Sequence, residues 1–261
     1  MSENRKIRGF SLVEMMVAVL IGSLVVLAAS QLFLTNQRTF LLQQGLTDVQ
    51  EQGRFAMDFI ARDLRRMGMR QPGVISGPTP GIVRTPVTVN GVTFAASEEG
   101  GASVSANDRL TFAYQANTGA EDCEGGTLGA PGAIVNTYWV NNNAQLVCRG
   151  SVDAGTTGIV IVDGVDSFQV LYGVDTVQDG VPFAARYVTA GDLGADDEVV
   201  TVRVGLLVRA SQQNLPPMGD PLGYVVLDKS LTPGEPPLER PAIRRLFVTT
   251  VRARNVSWER I

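Results

Sequence analysis

Residues 10–37 are apolar on every side, and Glu14 is the one charged side chain among them. A helix needs about 20 such residues to cross a bilayer core. Arg5, Lys6 and Arg8 precede the run. Basic flanks stay cytoplasmic, so the pattern predicts a spanning helix with the bulk of the chain exported. Beyond Gln37 the apolar positions narrow to a stripe. Leu42, Leu46, Val49, Ala56, Ile60, Leu64 and Met67 recur at spacings of three, four or seven, the mark of an amphipathic helix. Arg54, Asp58, Arg62, Asp63, Arg65 and Arg66 fall largely off that stripe. The cations near the helix end, Arg62, Arg65, Arg66 and Arg70, are expected to stay solvated and to complement the helix dipole. Gly68, Pro72 and Gly73 should end the helix. A continuous helix over 10–67 would be about 87 Å long. Gly22, Gly45 and Gly53 are expected points of bending or local melting, each about 1 kcal/mol worse than alanine.

After Pro72 the pattern changes to short β-like runs between Gly, Pro, Asn and Asp. Candidate strands cover residues 82–84, 87–94, 109–114, 134–140, 145–148, 158–162, 167–173, 199–209, 224–227 and 245–254. Val202-Arg203-Val204 and Ser167-Phe168-Gln169-Val170 alternate with a period of two, as half-buried antiparallel strands do. Long loops are expected at 97–107, 117–132 and 215–221. The fold class that follows is α+β: one long N-terminal helix packed against a β-rich, mostly antiparallel head. The expected organisation is a leader over 1–9, a transmembrane and assembly helix over 10–37, an amphipathic continuation over 38–68 and an exported head over 69–261.

Charge and composition then exclude more than they suggest. Net charge is −4, so no general attraction to nucleic acid is implied. Residues 1–9 carry one acid and three bases, a net +2 that leaves −6 for the remainder. The chain contains no histidine. Ser-His-Asp and Cys-His catalysis are therefore absent, as is any histidine-ligated metal. No cofactor and no metal site are expected. The acidic stretch 192–198 invites a calcium reading, but it lacks the Asp-x-Asp-x-Asp-Gly loop spacing and reads better as a solvated turn. Trp139 and Trp258 appear isolated rather than part of an aromatic and basic surface.

A secretory signal peptide would have a shorter apolar core, with its small-residue cleavage site after that core. Here Ala28, Ala29 and Ser30 sit inside the run. A plain signal anchor accounts for everything except Glu14. A carboxylate in an apolar helix costs on the order of 2.5–3.5 kcal/mol on insertion scales and is usually functional. Arg8-Gly9-Phe10-Ser11-Leu12-Val13-Glu14, followed by the apolar helix, resembles the processing motif of type IV prepilins. The resemblance implies cleavage between Gly9 and Phe10 by a prepilin peptidase, which also methylates the new amine of Phe10. It further implies that Glu14 of one subunit pairs with the N-terminal amine of a neighbour in the filament, so that two charges costly in lipid offset each other. Cys123 and Cys148, the two cysteines, lie in the exported part and are expected to form a disulfide, with two free buried thiols as the alternative.

Three further stretches resemble the PilW minor pilins: Val165-Asp166-Ser167-Phe168-Gln169-Val170-Leu171-Tyr172-Gly173-Val174-Asp175, Val202-Arg203-Val204-Gly205-Leu206-Leu207-Val208-Arg209, and Arg244-Arg245-Leu246-Phe247-Val248-Thr249-Thr250-Val251-Arg252-Ala253-Arg254-Asn255. What this resemblance implies is a non-enzymatic minor pilin in a priming or tip complex that starts pilus assembly. Its expected partners are the prepilin peptidase, other minor pilins, the major pilin, a pilus-tip adhesin and the bacterial inner membrane. No nucleic acid is expected among them. The N-terminus would be cytoplasmic and the head periplasmic, then extracellular in the pilus. A J-type minor pseudopilin of a type II secretion system is the related alternative. A pilus-borne adhesin or DNA-binding subunit is the more distant one.

Overall fold

The structure is a computed structural model that describes residues 10–100, 106–153, 157–177, 181–210, 223–239 and 242–255. The chain divides into two compact units, Met1–Gln44 and Gly45–Ile261. One helix, α1 (Leu12–Leu64), belongs to both. In the N-terminal unit its side chains are exposed almost throughout, large apolar ones included.

In the head unit, Val49, Ala56, Ile60 and Leu64 of α1 are buried, as the stripe predicts, whereas Leu46 remains 42% exposed. No break interrupts α1 at Gly22, Gly45 or Gly53, where bending was expected. The reason at Gly53 is close packing. A Cβ there would lie 2.0 Å from Cε2 of Phe247, so the missing side chain admits an aromatic ring against the helix backbone. Asp63 is a second departure. It is placed by pattern among the solvated charges, yet it is only 3% exposed.

The head contributes β1 (Gly81–Ile82), β2 (Val87–Val89), β3 (Val92–Phe94), β4 (Leu110–Ala116), β5 (Gly132–Val140), β6 (Leu146–Gly150), β7 (Ile159–Val162), β8 (Val165–Asp175), β9 (Arg186–Val188), β10 (Glu198–Arg209), β11 (Tyr224–Val226), β12 (Lys229–Leu231) and β13 (Arg244–Arg252). Among the described residues the first sheet has the order β1-β4-β5-β6-β7 and the second β13-β10-β8-β9, with two separate hairpins, β2-β3 and β11-β12. Every recorded pairing is antiparallel. The α+β class with a mostly antiparallel head is therefore the observed one. The expected single strand over 87–94 is instead a hairpin that turns at Asn90 (φ 50°) and Gly91 (φ 77°). Asn-Gly is the dipeptide that most favours the tight turn matching strand twist. The strands β9 and β12, three residues each, have no counterpart among the expected runs. The expected loop at 215–221 lies outside the described residues.

The core of the head is aromatic where α1 meets the first sheet. Tyr138 stacks on Phe112 and meets Phe59 of α1 edge-on, with ring centroids 6.2 and 6.4 Å apart. On its opposite face, Val83, Phe94, Ala113 and Val135 form a second cluster under the β2-β3 hairpin. Leu207, Val226, Leu231 and Leu238 form a third under the β11-β12 hairpin.

The chain closes where the helix ends. Gly68 has φ +77°, and a Cβ there would come within 3.0 Å of the Asn255 carbonyl oxygen. Asn255 donates from Nδ2 to the carbonyls of Arg65 and Met67 at 3.4 and 3.3 Å, covering acceptors that a helix terminus leaves unpaired. Gly68→Ala is expected to lose about 1–2 kcal/mol from left-handed strain. Chemical denaturation against wild type measures it.

Candidate functional site

Gly9 lies outside the described residues, and Phe10 is the first residue described, 85% exposed. Helix α1 starts two residues later, at Leu12. The Ser11 carbonyl accepts the Met15 N–H at 3.1 Å, which makes Ser11 the cap, and Glu14 sits in the first turn. Ser11-Leu12-Val13-Glu14 has Ser-x-x-Glu spacing, the pattern in which a cap serine and a glutamate serve the free N–H groups of a helix start. A carboxylate there also faces the positive end of the helix dipole. Glu14 is exposed, so its charge is open to a neighbour.

Four hydroxyls along the same helix are satisfied by its own backbone. Hydroxyls of Ser23, Ser30, Thr35 and Thr39 donate to backbone carbonyls of Leu20, Val26, Gln31 and Thr35 at 2.8–3.0 Å. Hydrocarbon offers no alternative partner for such groups. Among the described residues one helix, α1, is long and apolar enough to cross a membrane.

In the head, charges are anchored at two buried carboxylates. Asp63, at the end of α1, accepts from Asn136 Nδ2 at 2.6 Å and from the Tyr138 hydroxyl at 2.7 Å. Arg66 donates to its other oxygen at 2.6 Å. Arg66 also bonds the Glu121 carbonyl and lies 5.1 Å from the centre of the Tyr114 ring. Far from being merely solvated, it ties the helix end to the first sheet. Burial pushes the Asp63 carboxyl above its ordinary range, while Arg66 and the hydrogen bonds pull the other way.

The second carboxylate is Asp166 on β8. Arg244 of β13 donates from Nε at 2.6 Å and Arg209 of β10 from Nη1 at 2.7 Å, one to each oxygen. Asp166 and Arg244 have side chains only 1% exposed, whereas Arg209 is 39% exposed. Burial again raises the acid, opposed by both guanidiniums. The three stretches compared above with PilW thus meet at one carboxylate. Sequence reasoning missed this triad, although all three residues stand inside the quoted strings.

Cys123 and Cys148 are disulfide-bonded across a separation of 25 residues. Cys123 N–H donates to Asn136 Oδ1 at 3.3 Å, which links the bridge to the Asp63 cluster. Replacing both cysteines with serine is expected to cost about 3–3.5 kcal/mol by freeing the unfolded loop. Denaturant midpoints with and without reductant test this. The acidic turn at 192–198 is held by an arginine. Arg84 donates to the carbonyls of Gly194, Ala195 and Asp197, and Gly194 N–H bonds Asp197 Oδ2 at 3.0 Å. Among the described residues no group of three or more metal-ligating side chains converges.

Asp108 carries a pH dependence. It accepts the N–H groups of Gly100 and Val170 at 2.8 and 2.7 Å, and burial, aided by Asp228 and Glu99 nearby, pushes its pKa to about 6. The unfolded carboxyl ionises near 3.8, so the folded state holds the extra proton between those values. This group's contribution to stability therefore falls as pH rises through that window. Comparing Asp108→Asn with wild type in melts from pH 4 to 6.5 should show a flatter profile for the variant.

Two protein families match the chain. The family described as Type IV Pilus-assembly protein W matches residues 137–255, and the Prokaryotic N-terminal methylation motif matches residues 4–30. Residues 137–255 are thus similar to the PilW proteins, and the start of the chain carries a pilin-type methylation motif. A solved type IV-like pilin from Thermus thermophilus is similar over 79% of this chain and 97% of that one, at 17% identity and a TM-score of 0.45. No curated protein matches the chain. The PilW match holds Asp166, Arg209, Arg244 and Asn255 and also the end of β5 with Tyr138 and Trp139, while the methylation motif holds Phe10 and Glu14.

Proposed function

We propose that this PilW-like chain is a minor pilin, processed by prepilin peptidase and built into a priming complex that starts a type IV pilus. The observation that carries the reading is Glu14 in the first turn of an exposed apolar helix, with the methylation motif spanning it. Cleavage between Gly9 and Phe10 creates a cationic amine at the edge of the hydrocarbon phase. A neighbouring subunit's Glu14 answers that charge and fixes the axial register of the two helices. The bacterial inner membrane holds the subunit before assembly, N-terminus cytoplasmic and head periplasmic, and the same apolar surface packs against other pilins afterwards. The role is structural rather than catalytic. The chain contains no histidine, so histidine-dependent catalysis is closed to it.

Mass spectrometry of the membrane-extracted protein tests the processing step. The expected N-terminus is N-methyl-Phe10. Gly9→Arg should leave a longer precursor on a gel, and processing at the wild-type rate in that variant would remove the proposed junction.

A further inference from the structure

The two larger sheets of the head end in four edge strands, and three of them are short. Among the described residues β1 has two residues, β7 four and β9 three, whereas β13 has nine. Natural sheets avoid pairing with other chains by keeping edges short or by placing charges, prolines or bulges along them. From Leu246 to Val251, β13 carries no charge and no proline, and its register with β10 runs without a shift.

The backbone of β13 is open on its far side. Ala210 N–H donates to the Ile243 carbonyl and Ala253 N–H to the Val200 carbonyl, both at 2.9 Å. An antiparallel ladder alternates from such pairs. Odd-numbered residues of β13 therefore turn N–H and C=O toward β10, and Leu246, Val248 and Thr250 turn theirs outward. No partner for these three backbone positions is found among the described residues. Their side chains stand on the face away from α1, since Phe247 of the alternate set is the one packed on Gly53. Val248 is 51% exposed there.

Charge along the edge selects what it can take. Arg252 is exposed at one end. Arg203 reaches across from β10 to Thr250 Oγ1 at 3.3 Å, with its guanidinium 4.1 Å from the centre of the Tyr187 ring. Neither arginine is paired with a carboxylate among the described residues. A second β13 lying antiparallel about Val248 would set Arg252 opposite Arg244 at both ends, and like charges in that position destabilise a strand pair. A strand with a carboxylate there gains instead.

We propose that the β13 edge receives a strand from the head of a different pilin subunit, uncharged where it passes Leu246, Val248 and Thr250 and acidic beside Arg203 and Arg252. Main-chain bonds supply the attraction, and the two cations choose the partner. The contact rests on the chain being a processed pilin subunit, and it adds a head-to-head junction to the one made by Glu14.

The test uses the full-length chain in its own pilus-forming cells, with the photoreactive residue benzoylphenylalanine in place of Thr250. Irradiation should join it to one extended segment of another pilin's head, with an aspartate or glutamate within two residues of the cross-link, identified by mass spectrometry. Val248→Pro removes the central outward N–H at an edge position that tolerates proline. Its melting midpoint should hold while cross-linking falls at least tenfold. Val248→Thr keeps the N–H and should cross-link like wild type. Arg252→Glu reverses the charge without touching the backbone row, so a similar loss is expected there even if the proline variant fails to fold. Cross-linking to a second copy of this chain or to a protein that is not a pilin overturns the proposal. So does the absence of any cross-link, or an unchanged yield in Arg252→Glu or in folded Val248→Pro. An uncleaved N-terminus in the same cells would instead refute the pilin reading beneath it.

Discussion

Asp166→Ala should cost the head about 3–5 kcal/mol, measured as a fall in denaturant midpoint of the detergent-extracted protein. The size follows from what the substitution leaves behind. Arg244 has a side chain 1% exposed and sits on β13, bonded to Asp166 at 2.6 Å. Without the carboxylate, a guanidinium stays in a dry interior with only part of its hydrogen bonding, including a 3.3 Å bond to the Pro237 carbonyl. Such a charge is far costlier unpaired than paired. Arg209→Ala should be much milder, about 1 kcal/mol or less, because that side chain is 39% exposed and water replaces the lost partner. A sharper check is the joint replacement of Asp166 and Arg244 by apolar residues of similar size. It should recover most of the stability that either single change removes, since neither charge is then stranded. If the joint variant is as unstable as Asp166→Ala, burial of the unpaired cation is not the cause.

The triad also shows where a single sequence stops being informative. The helix was legible because its pattern is local: an apolar run from 10 to 37, then a stripe that ends at Gly68. Val49, Ala56, Ile60 and Leu64 sit where the period of 3.6 puts them, buried in the head. Asp63 is different. Its periodicity places it with the solvated charges, and only the approach of Asn136 and Tyr138, 73 and 75 residues away, reveals a buried acceptor. Pairings of that range are set by strand register, which alternation alone does not specify. The same holds for Asp166, whose arginines arrive from two other strands. It holds too for Trp139, which looks solitary in the sequence and is flanked by two arginines in the sheet. The β2-β3 hairpin is the reverse case. Asn90-Gly91 announces a turn, and a continuous strand over 87–94 overlooks it. The pilin class was carried by the short string around Gly9, Phe10 and Glu14, because its chemistry is compressed into seven neighbouring residues.

Glu14→Ala is expected to leave membrane insertion intact, or to improve it, while reducing incorporation into pili at least tenfold. The two halves of this result come from one physical fact. A carboxylate near the start of an apolar helix opposes partitioning into lipid by on the order of 2.5–3.5 kcal/mol, so its removal favours the membrane-resident state. In the filament, the same carboxylate would offset the amine that cleavage leaves on a neighbouring Phe10. Losing it strands that amine among apolar helices, and stranding a cation in a dry contact costs several kcal/mol. A capping role for Glu14 would give another outcome. A cap of the Ser-x-x-Glu type accepts hydrogen bonds without needing a full charge, and Gln serves it nearly as well as Glu. Glu14→Gln therefore separates the readings. If Glu14 answers a cation, the glutamine variant should be nearly as defective in sheared pili as the alanine variant, with helix content unchanged. Normal pilus incorporation of Glu14→Gln would reduce Glu14 to a helix cap and leave the axial register to apolar packing alone.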